Sequence, residues 1–572
     1  MQEKTTLGLC TIVKNEEEMI GQCLESVREA VDEIVIVDTG STDRTVEIAK
    51  SFGARVYHHP WQDSFSEARN YALKFATADW IIHLDADEKL EADDVALLRE
   101  AIQNSAVNSY LLPIFNYLPE GIISKFYYRR LFRRQGAQYV GRVHNQILID
   151  GPAEMLEIRI HHYGYNLSEE KMQAKYRRTE TLIRKQIEDE PDNVFHRFNL
   201  VRILRNKGEY DQAIEEGLSA LRMPNVKDRI GFYLMIVNDV CHSMILADRP
   251  VEIFPLCTEA LKHDPLNMDL LFVLAGAYVS TGQYEEAIRY YQKWIQAKKM
   301  TNGRPKDVAM SIDTWSLEAL VHENIAKCHK YLDNYSLALE YFERAIELDA
   351  RRIESYKGIA LCHLEHKRLK EALTVLERAD RAGIGDAFVY YKMGLLCQEL
   401  NRPYDAIHWL EKSLSLDSDN AEVWNAKSVM ELTISQFNEA RESLERCLSL
   451  APGHTGARYN RIRLTLLLGE DEAFEQHSKQ LLQSKNLPPS LMKEMADLCL
   501  QFKKYAQAIS LYEKYLLAND RDVDALHNLS TCYLLTGNLE AAKVGYQAVL
   551  MINPNYTLSK ENLNRIMTVE MQ

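Results

Sequence analysis

Trp80-Ile-Ile-His-Leu-Asp85-Ala-Asp87-Glu88 sets two carboxylates one residue apart where an apolar run ends. Trp80 to Leu84 has the apolar, partly β-branched character of a buried strand, and an open α/β sheet takes its ligands beyond the carboxyl ends of its strands. Asp85 and Asp87 fall there. Oxygen ligands suit Mg²⁺ or Mn²⁺, which take one or two carboxylates together with substrate phosphates. A diphosphate is therefore the natural partner. The same acids, standing before Lys89-Leu-Glu-Ala-Asp-Asp-Val-Ala-Leu-Leu98, would also cap a helix and meet its dipole, so the flanking sequence decides between the two readings.

Upstream, Thr6 to Val13 reads as a strand ending in Lys14-Asn15-Glu16, and Glu17 to Ala30 has helical spacing through Ile20, Leu24 and Val27. Glu33-Ile-Val-Ile-Val-Asp38 is a second buried strand, and Thr39-Gly-Ser-Thr-Asp43 opens the helix of Val46, Ile48 and Ala49. Arg55-Val-Tyr-His58 gives a short third strand, and Ser64 to Phe75 a helix carrying Ala68-Arg69-Asn70. Strand and helix alternate, which predicts an α/β domain with a mostly parallel sheet.

Cys10-Thr11-Ile-Val-Lys-Asn-Glu16, Ile36-Val-Asp38-Thr-Gly-Ser-Thr-Asp43, Ala68-Arg69-Asn70 and Leu84-Asp85-Ala-Asp87, in this order, resemble the successive motifs of family-2 glycosyltransferases with a GT-A fold. The resemblance covers roughly residues 5–165. It implies a Rossmann-like GT-A domain over residues 1–165, an inverting reaction, a UDP-sugar donor and a Mg²⁺ or Mn²⁺ cofactor. By the same analogy Asp38 binds the uracil or ribose, Asp85 the ribose side of the nucleotide, and Asp87 the metal. Arg69 would lie near the base or diphosphate, and Thr11 and Glu16 join the nucleotide-sugar set. Taken as residues alone, Asp38 and Asp43 also fit a turn and a helix cap, and Arg69 a surface helix position.

Further on, Tyr127-Tyr-Arg-Arg-Leu-Phe-Arg-Arg134, Tyr139-Val-Gly-Arg-Val-His144-Asn145 and Ile158-Arg-Ile-His161-His162-Tyr163-Gly-Tyr165 supply the residue types that glycosyl transfer needs beside a metal: a base for the acceptor and cations for the diphosphate. The pattern resembles the carboxyl half of protein-modifying transferases, in which a late His reaches the metal or diphosphate. His162 and Tyr165 stand in for that role. The resemblance implies an acid where this chain has Asn145, and that departure leaves His144 and Glu88 as candidate bases. Arg130, Arg133 and Arg134 fit either a phosphate clamp or the solvent face of a strand.

The rest of the chain repeats. Ala338, Ala372, Ala406 and Ala440 are spaced by 34 residues, Ala508 and Ala542 continue after 68, and Phe474 occupies the missing step. A 34-residue helix–turn–helix period with small residues at the close contact is the tetratricopeptide repeat. The position four residues on is bulky, at Phe342, Leu376, Leu410, Leu444, Tyr512 and Tyr546, to fill the space between helices. Less regular members end at Ala213 and Ala287. The step of 51 from Ala287 to Ala338 places a polar loop near Lys298 to Pro305. A linking helix over 166–190 and an all-α solenoid over 191–572, of nine or ten repeats, follow. Its concave surface suits an extended protein segment. The asparagine ladder by which O-linked N-acetylglucosamine transferases bind peptide is represented by Asn460, Asn528 and Asn562 alone.

A formal charge of −15 argues against wholesale nucleic-acid binding. The ten cysteines form no C-x-x-C pair, which favours a reduced, cytoplasmic protein. Leu7 to Val13 is too short for a signal peptide, and Ile230 to Ala247, interrupted by Asn238, Asp239 and His242, reads as a packed repeat helix with no membrane insertion. The layout is similar to bacterial transferases that glycosylate flagellin or bacteriocin peptides. The expected function is therefore sugar transfer to a side chain of a protein or peptide recruited by the repeats, in a chain compatible with a homo-oligomer. A transferase acting on lipid or polysaccharide, with the repeats as an assembly scaffold, is the alternative.

Overall fold

A computed structural model describes residues 5–104, 106–118, 122–143, 145–164, 169–301, 311–482 and 487–570. His144 and Tyr165 of the candidate set lie outside them. β1 (Leu7–Val13), α1 (Ile20–Val27), β2 (Glu33–Asp38), α2 (Thr45–Ser51), β3 (Arg55–His58), α3 (Phe65–Leu73) and β4 (Trp80–Ile82) alternate as the spacing predicts. β1 pairs in parallel with β2 and β4, and β2 with β3. Parallel strands are covered on both faces, which is why β1 and β4 read as unbroken apolar runs. Leu7, Leu9, Trp80 and Ile82 pack on one side with Ile20 and Leu24 of α1. Cys10, Val35, Val37 and Ile81 pack on the other with Ala72 of α3.

Past β4 the chain reverses through β5 (Glu88–Leu90) and α4 (Val95–Ala101), then builds the long hairpin β6 (Ser109–Tyr117) and β7 (Ile123–Arg133). β8 (Gln138–Val140) and β9 (Gln146–Leu148) form a separate pair, followed by β10 (Ala153–Met155) and β11 (Ile160–His162). The main sheet runs β3-β2-β1-β4-β7-β6-β11-β5. Its second half is mixed: β7 is antiparallel to β4, β11 is parallel to β6, and β5 is antiparallel to β11. The register sets His162 beside Asn116 on one side and Glu88 on the other.

α5 (Glu169–Asp189) links this domain to a mostly helical remainder, in which twenty-one α-helices between Val194 and Glu570 are described. The chain divides into two compact units, residues 1–362 and 363–572. Ala338 in the first unit, and Ala372, Ala406, Ala440, Ala508 and Ala542 in the second, are fully buried. Close approach of helices demands such small residues. Leu410, for instance, sits so near Gly394 that a Cβ there would lie 2.7 Å from it. Phe474, at the missing step, is buried among Met495, Cys499 and Leu511. Ile230–Leu246 is a largely buried helix whose Asp239 pairs with Arg202 and Arg205. Among the described residues no helix is long and apolar enough to cross a membrane.

Two features of the repeat segment gain detail here. The asparagine amides are used inside the second unit: Asn460 Nδ2 donates to Asn425 Oδ1, Asn528 Nδ2 to Asp497 Oδ1, and Asn562 Nδ2 to Tyr546 Oη. Each of the three thus spends an amide N–H on a side chain of the repeats themselves. Of the loop expected near Lys298 to Pro305, residues 302–305 lie outside the described residues. Lys298 to Thr301 complete the helix Tyr284–Thr301, and β12 (Ser311–Ile312) then pairs antiparallel with β7 at Phe126 and Lys125. A stretch of the repeat segment is thus a strand of the N-terminal sheet.

Candidate functional site

The loops after β1 and β2 are locked together by side chains acting as backbone partners. Asn15, in the left-handed region at φ 56°, takes a conformation that Asn tolerates. Its Oδ1 accepts from Thr42 N at 2.8 Å, and its own N–H donates to Ser41 Oγ at 3.0 Å. Glu16 N–H donates to Thr45 Oγ1 at 2.7 Å. Asp38 accepts from the amides of Gly40 and Ser41 and faces His58 Nδ1 at 3.1 Å. The turn reading of Asp38 is therefore correct as local structure, and it also fixes the carboxylate at the strand end. Thr11 is inside the sheet, 1% exposed, its hydroxyl directed to the Ile12 carbonyl, so it does not reach the rim.

Asp85 is the hub of a buried polar network. Its Oδ1 receives Arg69 Nη2 at 2.5 Å and faces His83 Nε2 at 3.2 Å, while Oδ2 receives Arg130 Nη2 at 3.2 Å. Burial alone would raise its pKa, but Arg69 and Arg130, with His83, hold it well below the usual carboxylate range. Burial and the same two arginines push His83 down to about 3. A neutral imidazole has one N–H, so His83 donates from Nε2 to Asp85 and accepts at Nδ1 from Tyr139 Oη, 3.0 Å away. Arg69 also donates to Asn145 Oδ1 at 2.5 Å. Asn145 thus points into this network. Arg69 Nε, Arg130 Nε and Nη1, and Asn145 Nδ2 are buried without a hydrogen-bond acceptor among the described residues.

Glu88 is corrected by the same geometry. It is 2% exposed, its Oε2 accepts from Asp85 N at 2.9 Å and its Oε1 pairs with Arg130. The reversal into β5 turns it inward, so it braces the two-aspartate turn and presents no oxygen to an acceptor. Arg133 and Arg134 are corrected as well. Because β7 runs antiparallel to β4, they lie at the far end of that strand, bonded to the carbonyls of Val107, Asn104 and Ala78.

Asp87 and His162 come together at the rim. His162 Nε2 lies 3.3 Å from Asp87 Oδ2, and its Nδ1 lies 2.6 Å from Asn116 Oδ1. Burial opposes charge on His162, but the hydrogen bond to Asp87 and the carboxylates of Asp87, Glu88 and Asp85 raise its pKa overall. Gly164 walls this pair: a Cβ there would stand 2.0 Å from Asp87 Oδ2 and 2.8 Å from His162 Nε2. Lys175 of α5 donates to the Gly164 carbonyl at 3.1 Å. Burial, Asp87 and, more weakly, Asp85 and Asp43 push Glu16 up to about 7 against the pull of Lys175. Among the described residues no three His, Cys, Asp or Glu side chains form a ready metal cage.

The structure therefore gathers Glu16, Asp85, Asp87, Arg69 and His162, sets Asp38 at the neighbouring strand end, and leaves Thr11 inside. Asn116, Gly164, Lys175 and His83 escape the sequence reading. Asn116 alone carries a signal, as a polar residue within the apolar β6.

Residues 9–145 match the family Glycosyl transferase family 2, and tetratricopeptide-repeat families match residues 244–301, 325–387, 389–420, 421–454 and 500–560. A TPR repeat-containing protein of Synechococcus elongatus is 29% identical over 41% of this chain and 61% of its own length. The SPbeta prophage-derived glycosyltransferase SunS of Bacillus subtilis is 28% identical over 63% of this chain and 86% of its own. An uncharacterized glycosyltransferase of Rickettsia typhi is 40% identical over 14% of this chain and 28% of its own. This chain is a glycosyltransferase family 2 domain followed by tetratricopeptide repeats.

Proposed function

We propose that the chain transfers a sugar from a UDP-sugar, with inversion, to a side chain of a protein or peptide recruited by the repeats, using Mg²⁺ or Mn²⁺ at Asp87 and His162. The observation that carries this reading is the facing of Asp87 Oδ2 and His162 Nε2 across Gly164, at the end of β4 in a family 2 domain. The donor set fits such an ion: a carboxylate oxygen and an imidazole nitrogen anchored from behind by Asn116, at a glycine whose missing Cβ leaves both donors in place. Bound there, the ion would offset charge developing on the departing diphosphate.

The protein's own groups do the rest. Lys175 sets positive charge on the same rim. The Asp85, Arg69, Arg130 and Glu88 network fixes the turn carrying Asp87, and the buried N–H groups beside it favour an acceptor-rich ligand such as a nucleotide. Asp38, held by turn amides, supports the uracil or ribose. The base stays with His144, since Glu88 is sealed from the acceptor side. The repeats support a protein acceptor, and similarity to SunS spans 389 residues, more than the family 2 match covers. All ten cysteines are buried thiols in no disulfide, which fits a reducing, cytoplasmic setting.

The test is intact-mass analysis of candidate acceptor proteins after incubation with a panel of UDP-sugars. A gain of one sugar mass on a protein supports the reading. Sugar appearing on lipid or polysaccharide alone would replace it with the scaffold alternative.

A further inference from the structure

The stretch Ser311–Ser316 belongs to the repeat segment in sequence and to the transferase sheet in space. β4 pairs with β7 at Leu131–Arg133, and β12 supplies the neighbour on that edge at Lys125 and Phe126. Ser316 Oγ accepts from Ile123 N at 2.8 Å. The Trp315 ring lies between two ammonium groups, Lys125 of β7 and Lys298 of the helix Tyr284–Thr301, each 4.9 Å from its centroid. The middle of the stretch is anchored among repeat helices. Buried Asp269 accepts from Asp313 N at 3.0 Å and from Thr314 N and Oγ1 at 2.9 and 2.7 Å. Thr314 Oγ1 accepts from Trp294 Nε1 at 3.0 Å, and the Asp313 carboxylate faces Arg202 at 3.4 Å.

The hairpin end pinned in this way carries the supports of His162. Side chains alternate along a strand, so Lys125 faces Trp315 while its neighbour Ser124 faces the other way. Ser124 is paired with Asn116 across the hairpin, and Asn116 Nδ2 donates to Ser124 Oγ at 3.1 Å. Asn116 Oδ1 then meets His162 Nδ1 at 2.6 Å. A continuous chain of contacts runs from the repeats through β7 and β6 to the ring that faces Asp87.

We propose that Trp315 and Ser316 are positioning residues of the transferase site: by pinning β7 at Ile123–Phe126, they hold Asn116 and Ser124 behind His162 and fix its ring against Asp87. This rests on the reading of Asp87 and His162 as the donor site. A partner behind a metal-binding imidazole sets its orientation, and its loss costs roughly 10-fold or more in metal affinity.

The test uses the full chain. Hydrogen exchange of Ser109–Arg133 is measured alongside Mn²⁺ binding, followed by the paramagnetic signal of the free ion without donor. Ser316→Ala and Trp315→Ala are expected to speed exchange in this hairpin and to weaken Mn²⁺ binding roughly 10-fold. Ser316→Thr and Trp315→Phe, which keep the hydroxyl and the ring, should stay near wild type. Unchanged exchange in the hairpin, or a loosened hairpin with wild-type Mn²⁺ affinity, overturns the proposal. Should the wild-type chain bind no Mn²⁺, the reading of Asp87 and His162 fails, and hairpin exchange alone then decides whether the strap holds β7.

Discussion

Arg130 and Glu88 form a buried ion pair directly beneath Asp85, with side chains 6% and 2% exposed. Despite burial, Glu88 and Asp85 hold the charge on Arg130 firmly. Removing one partner of such a pair leaves an uncompensated charge and costs about 3–5 kcal/mol. Arg130→Met is predicted to destabilise the transferase domain by that amount, read by pulse proteolysis in urea. Arg130→Met/Glu88→Met should recover a large part of the loss. An unchanged urea midpoint for Arg130→Met would show that the cluster is not held as described.

Gly164→Ala separates site from fold. The added methyl must displace Asp87 or His162, since it would stand 2.0 Å from the Asp87 carboxylate. Mn²⁺ binding and donor turnover are expected to fall by roughly 10-fold or more, while the circular dichroism melt stays near wild type. Wild-type Mn²⁺ affinity in this variant would move the ion away from Asp87.

Glu16 gives a pH signature. Its pKa in the folded protein is raised from 4.5 to about 7. A raised acid contributes stability that is fully present below pH 4.5 and lost as pH rises through about 7. Glu16→Gln has no such loss, so its melting temperature should draw ahead of wild type between pH 5 and pH 7.5. Because the carboxyl is partly solvated, screening reduces the expected gain to on the order of 1 kcal/mol. Parallel melting curves across this range would place Glu16 in ordinary solvent.

What the sequence disclosed depends on the range of the interaction. β1 to β4 and their helices follow from local periodicity, and the 34-residue alanine register follows from close helix contact. Asp85 and Asp87 stand out because carboxylates at the end of an apolar run are costly unless used. Their different duties do not show, since Asp85 is engaged by Arg69 and Arg130 from α3 and β7 while Asp87 reaches the rim. Glu88 reads as an available acid until the reversal into β5 turns it inward. β12 is two residues long and carries no period, so its pairing with Lys125 and Phe126 is invisible locally. Lys175 looks like any helix lysine until α5 passes Gly164.

If a cation at Asp87 drives cleavage of a sugar–diphosphate bond, UDP release from a panel of UDP-sugars by wild-type and Asp87→Ala chains, with Mn²⁺ and with EDTA, measures it directly. Loss of the ion removes several kcal/mol of leaving-group stabilisation, or roughly 10²–10⁴ in rate. Wild type should release UDP with Mn²⁺ and stop in EDTA, and Asp87→Ala should fall by that factor while remaining folded. Undiminished release by wild type in EDTA, or by Asp87→Ala with Mn²⁺, would contradict the account.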